Sequence, residues 1–413
     1  MIVEKTLKSF NKSEQITQED LNPHELNTFY SLYNKYLNIE KIESAGILLI
    51  KRKSLQQYVG LINFKDKIRI YIPTIIPVEK IFQIWVFTHI NLEFDKFNEF
   101  LKFKSSKNSL EYIIDLYYNY LSELLRKGLN KNYEDINLNT RSPKGKINIQ
   151  HTIVKHFKNF KFNIYCNIKI FIEDNLFNQI IKFCLVRLIR ISNGKLKSRG
   201  KKFLFSFQKV TTLTKINPSV FNQLTYNRLN KKYEFILILS NFIIQNSIIC
   251  ESEGGFRFFS FLIDINTLFE DFVFKVIDKF KPFGYDNPKS KESFNTENNV
   301  QLIPDIIIKK DNQIVLAIDC KFKTNISRGD KFQIVTYGNY FNLKKGILIC
   351  PKNETEINEK FTDTNSIKII QNKQEFFIII KLIDLEKLSE TALSAFTKNL
   401  FKLAKKDSSI KVS

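Results

Sequence analysis

Residues 301–340 form the stretch where acidic, basic and amide side chains recur at regular intervals within apolar, strand-like segments. One apolar run contains Asp305, and the next ends with Asp319, Cys320 and Lys321. Because alternate residues of a strand lie on the same face, Asp319 and Lys321 are predicted to point to one side and Cys320 to the other. A carboxylate and an ammonium group would therefore face a common pocket.

The polar segment KKDN, at residues 309–312, separates the two runs and predicts a β-hairpin. Pairing of the two strands brings Asp305 beside Asp319. Two carboxylates suit a hard divalent cation that keeps some of its waters, so we expect Mg²⁺ here, with Mn²⁺ as an alternative. The arrangement is typical of a metal-dependent phosphodiesterase. An ordinary hairpin with a surface ion pair between Asp319 and Lys321 is the simpler alternative.

Two helical segments flank this hairpin. Apolar residues at helical spacing predict a helix over residues 266–280, with Glu270 on the flank of its buried stripe. A second helix is predicted over residues 332–340, where Gln333 and Tyr337 share one face, and an apolar strand follows it. The predicted order is therefore helix, strand, strand, helix, strand. For Glu270 the alternative is an exposed surface residue.

This order of elements and residues resembles the PD-(D/E)xK nuclease superfamily, including the RecB-like members. The resemblance implies that the metal is held by Asp305, Asp319 and the carbonyl oxygen of Cys320, with Glu270 supporting it or a second ion. Lys321 would position the attacking water and help to deprotonate it. DNA-binding or supporting roles fall to Gln333, Tyr337, Lys323 and Arg328.

The composition of the chain predicts a folded protein with a polyanionic partner. Its 413 residues are 43% hydrophobic, which is enough for two or three domains with buried cores. Lysine and arginine total 64 against 42 acidic residues, giving a formal charge of +22. Counterion release makes nucleic acid the leading candidate for the partner. An AT-rich genome would also favour lysine, so part of the basic excess has an alternative explanation.

The cysteines and histidines indicate the cellular compartment of the protein and exclude some kinds of active site. The cysteines are far apart and include no CxxC pair, which predicts reduced, buried thiols in a cytoplasmic protein. Neither the N-terminus nor the apolar run over residues 235–250 predicts a signal peptide or a membrane span. The four histidines lie far from residues 301–340, which argues against an HNH or zinc hydrolase site.

The predicted fold class is α+β, in three segments. Residues 1–105 form a β-rich N-terminal domain that includes a strand over residues 58–64 and a core Trp85. Residues 106–245 form a helical and basic connecting region. Residues 246–413 form an α/β domain like that of the PD-(D/E)xK restriction endonucleases, with a mixed central sheet.

Within the connecting region, two local predictions concern helix boundaries and side-chain direction. Asp174 is expected to cap a helix over residues 176–189. Phe203, Phe205 and Phe207 alternate as in a strand that faces the core. The basic residues of the segment 141–162 would line a phosphate backbone or would simply be solvated.

Four segments resemble the McrC family, and the likeness covers most of the chain. They are QQYVGLINFKDKIRIYIPTI at residues 56–75, PKGKINI at 143–149, EDNLFNQIIKFCL at 173–185 and FLIDINTLFEDFV at 261–273. The last of these, with LIPDIII and AIDCKFK after it, is the most specific. Thr74 stands where the family pattern has a lysine, so the role of that lysine is not carried over.

The resemblance implies a division of labour between two proteins. McrC is the nuclease subunit of McrBC-type modification-dependent restriction systems, and its partner McrB is an AAA+ ring, usually GTP-hydrolysing. This chain has no GxxxxGK[ST] motif, so the hydrolysis of GTP or ATP belongs to the partner. Ring binding is assigned to the N-terminal domain, residues 1–105, and the part that engages the pore to residues up to about 160.

The arrangement of Asp305, Asp319 and Lys321 and the resemblance together imply the Mg²⁺-dependent DNA endonuclease subunit of a McrBC-like type IV restriction complex for antiviral defence. Two alternatives stay open. A stand-alone repair or recombination nuclease would share the fold, the motifs and the basic charge. A catalytically inactive DNA-binding adaptor would share the fold, but the intact Asp305, Asp319 and Lys321 count against it.

Overall fold

The computed structural model describes residues 3–6, 14–17, 19–34, 38–42, 47–51, 58–64, 67–72, 76–90, 109–156, 163–251, 257–295, 301–323, 326–352, 366–371, 374–385 and 388–405. The helices are α1 (Pro23–Tyr33), α2 (Val78–Ile90), α3 (Ser109–Arg126), α4 (Ile149–His156), α5 (Leu176–Ile191), α6 (Gly194–Phe205), α7 (Glu234–Gln245), α8 (Ile265–Phe280), α9 (Arg328–Tyr340) and α10 (Glu390–Lys405). Two 3₁₀ helices lie over Pro218–Gln223 and Lys231–Tyr233. The strands are β1 (Val3–Thr6), β2 (Glu14–Ile16), β3 (Asn38–Ile42), β4 (Ile47–Lys51), β5 (Tyr58–Phe64), β6 (Ile68–Ile72), β7 (Asn132–Thr140), β8 (Lys146–Ile147), β9 (Ile164–Ile172), β10 (Ser247–Glu251), β11 (Arg257–Asp264), β12 (Lys289–Ser290), β13 (Phe294–Asn295), β14 (Gln301–Leu302), β15 (Ile306–Lys310), β16 (Gln313–Cys320), β17 (Lys345–Pro351), β18 (Ser366–Gln371) and β19 (Gln374–Ile383).

These elements form two compact units. Met1–Tyr112 and Asn246–Ser413 make up the first unit, and Ile113–Gln245 make up the second. Helices and sheets occur in both, which confirms the predicted α+β class. The predicted division at residues 105 and 245 stays a prediction. Thr74 lies outside the described residues.

A five-stranded sheet in the first unit joins strands from both ends of the chain. Its order is β1-β6-β5-β11-β10, so that β5 lies between β6 and β11 and is antiparallel to both. Helix α1 covers this sheet with Phe29 and Tyr33, which are both fully buried. The Tyr33 hydroxyl lies 2.8 Å from the hydroxyl of Ser260 on β11. The strand predicted over residues 58–64 is confirmed.

The six-stranded sheet of the first unit is the predicted mixed sheet. Its order is β12-β15-β16-β17-β19-β18, with β15 and β16 antiparallel and with β16, β17 and β19 parallel to one another. The β15–β16 turn places Asp311 and Asn312 at φ of 53° and 63°. Positive φ at both positions is typical of a tight hairpin turn, so the turn predicted over residues 309–312 is confirmed.

Helices α8 and α9 place their apolar faces against this part of the fold. The stripe predicted for α8 is buried along its length: Leu268, Phe269, Phe272, Val273, Val276 and Ile277. Its Phe269 ring meets Phe322 edge to face at 5.5 Å, just beyond β16. Helix α9 buries Ile334 and Val335 in the core beneath β15, β16 and β17. Both helices therefore have fixed orientations at the hairpin end of the sheet.

In the second unit, the phenylalanines at residues 203–207 are helical rather than strand-like. Phe203 and Phe205 lie in α6, where Phe205 is exposed and Phe203 packs against Tyr118 at 5.6 Å. Phe207 follows the helix and is buried. The strand prediction was wrong because the Lys- and Arg-rich segment before them favours a helix, which continues through the alternating residues.

The predicted cap of α5 was also wrong, by one residue. The side chain of Asn175, not Asp174, accepts a hydrogen bond from the backbone N–H of Asn178. Asp174 instead accepts hydrogen bonds from the Thr211 backbone N–H and from the Gln179 side chain. Asn and Asp cap helices about equally well, so local sequence could not choose between adjacent positions.

Other predictions concern the interior of the protein. Trp85 is buried in α2, as predicted, and stacks on His89 with ring centroids 4.9 Å apart. Buried free thiols are confirmed for Cys166, Cys184, Cys320 and Cys350. Within the described segments, no helix is both long and apolar enough to cross a membrane.

Candidate active site

Asp305 and Asp319 lie at the same end of the β15–β16 hairpin. Ile306 pairs with Ile318 in the antiparallel register, which places the preceding Asp305 opposite the following Asp319. The backbone N–H of Cys320 donates a hydrogen bond of 2.6 Å to Asp305 Oδ2. The predicted approach of the two carboxylates is therefore confirmed, and one of them is fixed by the backbone of the opposite strand.

Asp319 faces Lys321, as the alternation of the strand predicted. Lys321 Nζ lies 2.8 Å from Asp319 Oδ2, and the Asp319 side chain is fully buried. Apart from this ion pair, neither carboxylate oxygen of Asp319 has a hydrogen-bond partner among the described residues. Burial raises the pKa of Asp319, although the facing ammonium group opposes that rise. Asp319 is thus a buried carboxylate with unused ligand capacity, and this is not a surface ion pair.

The protonation state of Lys321 follows from the same pair. Burial by itself lowers the pKa of Lys321, but Asp319 and then Asp305 outweigh burial, so that the pKa is raised overall. Lys321 is therefore an ammonium ion at neutral pH. It can orient water and stabilise negative charge, whereas the predicted help in deprotonating water would first require loss of this proton.

Glu270 reaches the site from α8 and has a partner that the sequence did not reveal. Its Oε2 lies 3.1 Å from Nζ of Lys291. Burial, followed by the charge of Asp305, raises the pKa of Glu270, while Lys291 and Lys321 lower it. Lys291 lies in a short polar segment without a recognisable motif, so no local signal pointed to it. The pairing of β12 with β15 brings Lys291 to the site.

Gln333 and Tyr337 are neighbours on α9, as predicted, but they contact the protein itself. Gln333 Nε2 donates a hydrogen bond of 2.8 Å to the Tyr337 hydroxyl. That hydroxyl donates in turn to the carbonyl oxygen of Ile303, over 3.1 Å. Ile303 lies two residues before Asp305, and Tyr337 is buried. The pair therefore fixes the chain that leads into Asp305, and its predicted role in directing DNA stays a prediction.

Lys323 and Arg328 lie near the start of α9. Lys323 Nζ is 2.5 Å from Asp330 Oδ2, and the same carboxylate accepts from the Ser327 backbone N–H in the helix cap. Arg328 is exposed and lies 5.3 Å from the centre of the Phe332 ring. Lys323 is thus held in an ion pair, whereas Arg328 is accessible to a ligand. Their predicted contact with DNA stays a prediction.

Comparison with known proteins places the chain in a family. The model of the family described as "McrBC 5-methylcytosine restriction system component" matches residues 53–351. The chain belongs to this family. A curated relative, the type IV methyl-directed restriction enzyme EcoKMcrBC of Escherichia coli (strain K12), is 25% identical over 271 residues, which are 58% of this chain and 76% of the relative. The resemblance to McrC that the sequence indicated is thereby confirmed.

One solved structure of an McrBC assembly supports the fold. A half-complex from a tetradecameric assembly of Thermococcus gammatolerans McrB AAA+ hexamers with bound McrC matches with a TM-score of 0.65 and 15% identity. The match covers 98% of this chain and all of that chain. A second structure, the T. gammatolerans McrBC complex, matches at a TM-score of 0.45 and 17% identity over 67% of this chain and 87% of that one. At such identities the first match shows a shared fold.

The donor set of this McrBC-family site fits one hard divalent cation better than a larger metal cluster. Among the described residues, no group of three or more His, Cys, Asp or Glu side chains is assembled for a metal. Asp305 and Asp319 are adjacent, and Oδ1 of Asp319 has no hydrogen-bond partner among the described residues, so it can serve as a ligand to a cation. Burial and the nearby carboxylates raise the pKa of the Cys320 thiol, which stays neutral, so Cys320 would contribute only its carbonyl oxygen.

Cation binding at this site should depend on pH through Asp305. Burial, together with the charge of Asp319, raises the pKa of Asp305 to about 6. Only the ionised carboxylate binds a cation, so below that pH the affinity for Mn²⁺ should fall about tenfold per pH unit. Titration calorimetry with Mn²⁺ between about pH 5 and about pH 8 measures this change. Asp305→Asn serves as the control and should bind Mn²⁺ weakly at every pH. An affinity of the wild-type chain that stays constant from pH 7 to pH 5 would contradict the assignment.

Proposed function

We propose that this chain is the Mg²⁺-dependent DNA endonuclease subunit of a McrBC-like restriction complex. The observation that carries the proposal is the fully buried carboxylate of Asp319, which lies between the ammonium of Lys321 and the carboxylate of Asp305. A buried charge is unfavourable unless something compensates it. A site that retains such a charge beside a second carboxylate is better explained by cation-assisted chemistry than by stability.

The residues of the chain have separate tasks in this proposal. Asp305 and Asp319 hold the cation, and Tyr337 fixes the chain segment that carries Asp305. The cation, when bound, lowers the pKa of a water molecule and neutralises phosphate charge. Lys321 remains protonated, orients that water and stabilises the negative charge that develops on the phosphate. The formal charge of +22 favours the approach of DNA to the protein.

The proposed partner is an AAA+ ring that hydrolyses GTP or ATP. The matched T. gammatolerans assembly contains McrB AAA+ hexamers with bound McrC. This chain has no GxxxxGK[ST] motif of its own, so a complex driven by NTP hydrolysis needs another subunit. Cleavage is therefore expected to depend on that ring, on NTP and on Mg²⁺.

Loss of Lys321 should separate cleavage from activation of the partner. With Lys321→Ala, DNA cleavage by the reconstituted complex should fall about 100- to 1000-fold, because the developing phosphate charge loses a fixed cation. Stimulation of the ring's NTP hydrolysis should stay within about twofold of wild type, since it requires no cleavage chemistry. Gel assays and phosphate release measure the two activities.

The exposed lysine before β17 provides the matched control, Lys344→Ala, which should retain both activities. Full cleavage by Lys321→Ala would overturn the proposed role of that residue. Cleavage by the purified wild-type chain with Mg²⁺, but without ring or NTP, would favour the stand-alone nuclease. A wild-type complex that binds DNA and never cuts it would favour the inactive adaptor.

An exposed apolar patch on the second unit is our candidate for contact with the ring. It consists of Ile147 on β8 and of Ile149, Ile153 and Val154 on α4, all of them exposed. Ile149 and Ile153 are four residues apart and therefore share one face of the helix. Clusters of exposed aliphatic side chains are typical of protein-binding surfaces. The patch also lies among the first 160 residues or so, where the resemblance places ring engagement.

Charges placed in this patch should block activation of the ring. The double variant Ile153→Asp with Val154→Asp should stimulate NTP hydrolysis at least about tenfold less than wild type, since two apolar side chains of the proposed interface with the ring would become charged. The fold should persist, because both side chains are exposed. Phe205→Asp, at an exposed apolar residue of α6 in the same unit, is the control and should stimulate normally. Equal stimulation by the double variant and wild type would exclude the patch from the interface.

A further inference from the structure

Lys291 contacts two acidic residues of the site, one through its backbone and one through its side chain. Directly after β12, its backbone N–H donates a hydrogen bond of 3.1 Å to the carbonyl oxygen of Asp305. Its ammonium group lies 3.1 Å from Glu270 Oε2 on α8. The charge of Asp305 also acts on this ammonium group. One lysine thus lies beside both the hairpin carboxylate and the helix carboxylate.

The backbone of Lys291 is held in an unfavourable conformation. Its φ is 53°, in the left-handed region that is unfavourable for a residue with a side chain. The compensating ion pair is partly open to water, because 46% of the Lys291 side chain is exposed. An ion pair exposed in this way contributes little to stability, so it does not offset the backbone strain. Stability alone therefore does not explain a lysine at this position.

The balance of charge at the site explains it better. Three carboxylates, on Glu270, Asp305 and Asp319, face two ammonium groups, on Lys321 and Lys291. One divalent cation would change this net charge from one negative to one positive, which complements the single negative charge of a phosphodiester. Without Lys291, the site with its cation would be neutral. The Lys291 side chain is also partly exposed, so a ligand can approach it.

We propose that Lys291 is a phosphate-binding residue of the site, which Glu270 holds in place until a DNA phosphate contacts its ammonium group. The inference rests on the proposed nuclease function. It assigns the electrostatic attraction for the reacting phosphodiester to Lys291 and leaves Lys321 to the water and the developing charge.

Lys291→Met tests this role, and Lys289→Met is its matched control. Lys289 lies two residues earlier, on β12, and its Nζ is 3.2 Å from Glu292 Oε1. Its side chain is more exposed than that of Lys291. Each substitution removes one positive charge and retains an unbranched side chain. Two quantities are measured for each full-length variant: cleavage of DNA in the complete complex with ring, NTP and Mg²⁺, and the affinity of the isolated chain for Mn²⁺ by calorimetry.

The two measurements are expected to change in opposite directions in Lys291→Met. Cleavage should fall about 100-fold, because a fixed cation for the phosphate is lost. Mn²⁺ affinity should rise about three- to tenfold, because a repelling positive charge has left the carboxylates. Lys291→Arg should recover cleavage to within about tenfold of wild type. Lys289→Met should match wild type in both measurements.

Other outcomes are equally decisive. A fall in both cleavage and Mn²⁺ affinity would mean that Lys291 only maintains the structure, and the inference would be wrong. Unchanged cleavage in Lys291→Met would also overturn it. If the wild-type complex itself fails to cut DNA, the proposed function is what fails, and that result is recognised before any variant is compared.

Discussion

Replacement of Asp319 by Asn should abolish DNA cleavage and yet leave the chain at least as stable as wild type at neutral pH. Asparagine has nearly the same shape, but it carries no charge and is a poor ligand for Mg²⁺. We expect cleavage to fall about 1000-fold or more, since both cation binding and its contact with Lys321 are lost. Stability should rise by about 1 kcal/mol, because the raised pKa of Asp319 shows that burial of its charge costs more than the ion pair with Lys321 returns.

The expected gain in stability has a definite dependence on pH. The folded-state pKa of Asp319 is raised, so the native chain binds this proton more tightly than the unfolded chain. The free energy of unfolding of wild type should therefore fall, through this group, as the pH rises from about 4 through the folded-state pKa. The advantage of Asp319→Asn should be small near pH 4 and larger near pH 7.5. Urea unfolding at both pH values measures it.

Asp311→Asn is the matched control for Asp319→Asn. Asp311 lies in the exposed turn of the same hairpin at a φ of 53°, a conformation that asparagine adopts readily. Both cleavage and stability should stay near wild type in this variant. If Asp319→Asn cuts DNA at a rate near that of wild type, the assignment of the site is wrong. If Asp319→Asn is less stable than wild type at pH 7.5, then Asp319 stabilises the fold instead of destabilising it.

Local periodicity was sufficient to predict the centre of the site. Asp319 and Lys321 share a face because strand geometry alternates, and a short polar turn brings Asp305 opposite Asp319. Each of these relations involves residues close together in the chain. For the same reason, the apolar stripe of α8 and the Gln333–Tyr337 neighbourhood of α9 were predictable.

Contacts between segments that are distant in the chain could not be predicted from the sequence. Lys291 reaches Glu270 only because β12 adds to the edge of β15, and its positive φ has no signature in a polar segment. The hydrogen bond from Tyr337 to Ile303 joins a helix to a loop before the hairpin. In the second unit, period-two spacing of phenylalanines coincided with a helix, because tertiary packing and helix propensity outweighed a three-residue pattern.

Gly60→Ala should be the most destabilising single substitution that we expect in the first unit. Gly60 lies within the YVG sequence of β5, where its φ is 138°. A Cβ atom there would lie 2.0 Å from the Phe261 carbonyl oxygen and 3.0 Å from the carbonyl carbon. Both belong to the backbone of β11, which is paired with β5 and cannot move without breaking the sheet. We expect a loss of about 3 kcal/mol or more in the free energy of unfolding.

Gly284→Ala is the control that measures backbone strain without the steric clash expected at Gly60. Gly284 also has a positive φ, of 90°, but a Cβ atom there would meet nothing within 4 Å. Its alanine variant should lose only the strain, about 1 to 2 kcal/mol. Urea unfolding of both variants tests the difference, and equal losses would show that β11 yields to the added methyl group. Because β11 leads directly into α8 and Glu270, a displaced β11 in Gly60→Ala should also reduce cleavage, whereas Gly284→Ala should cut DNA like wild type.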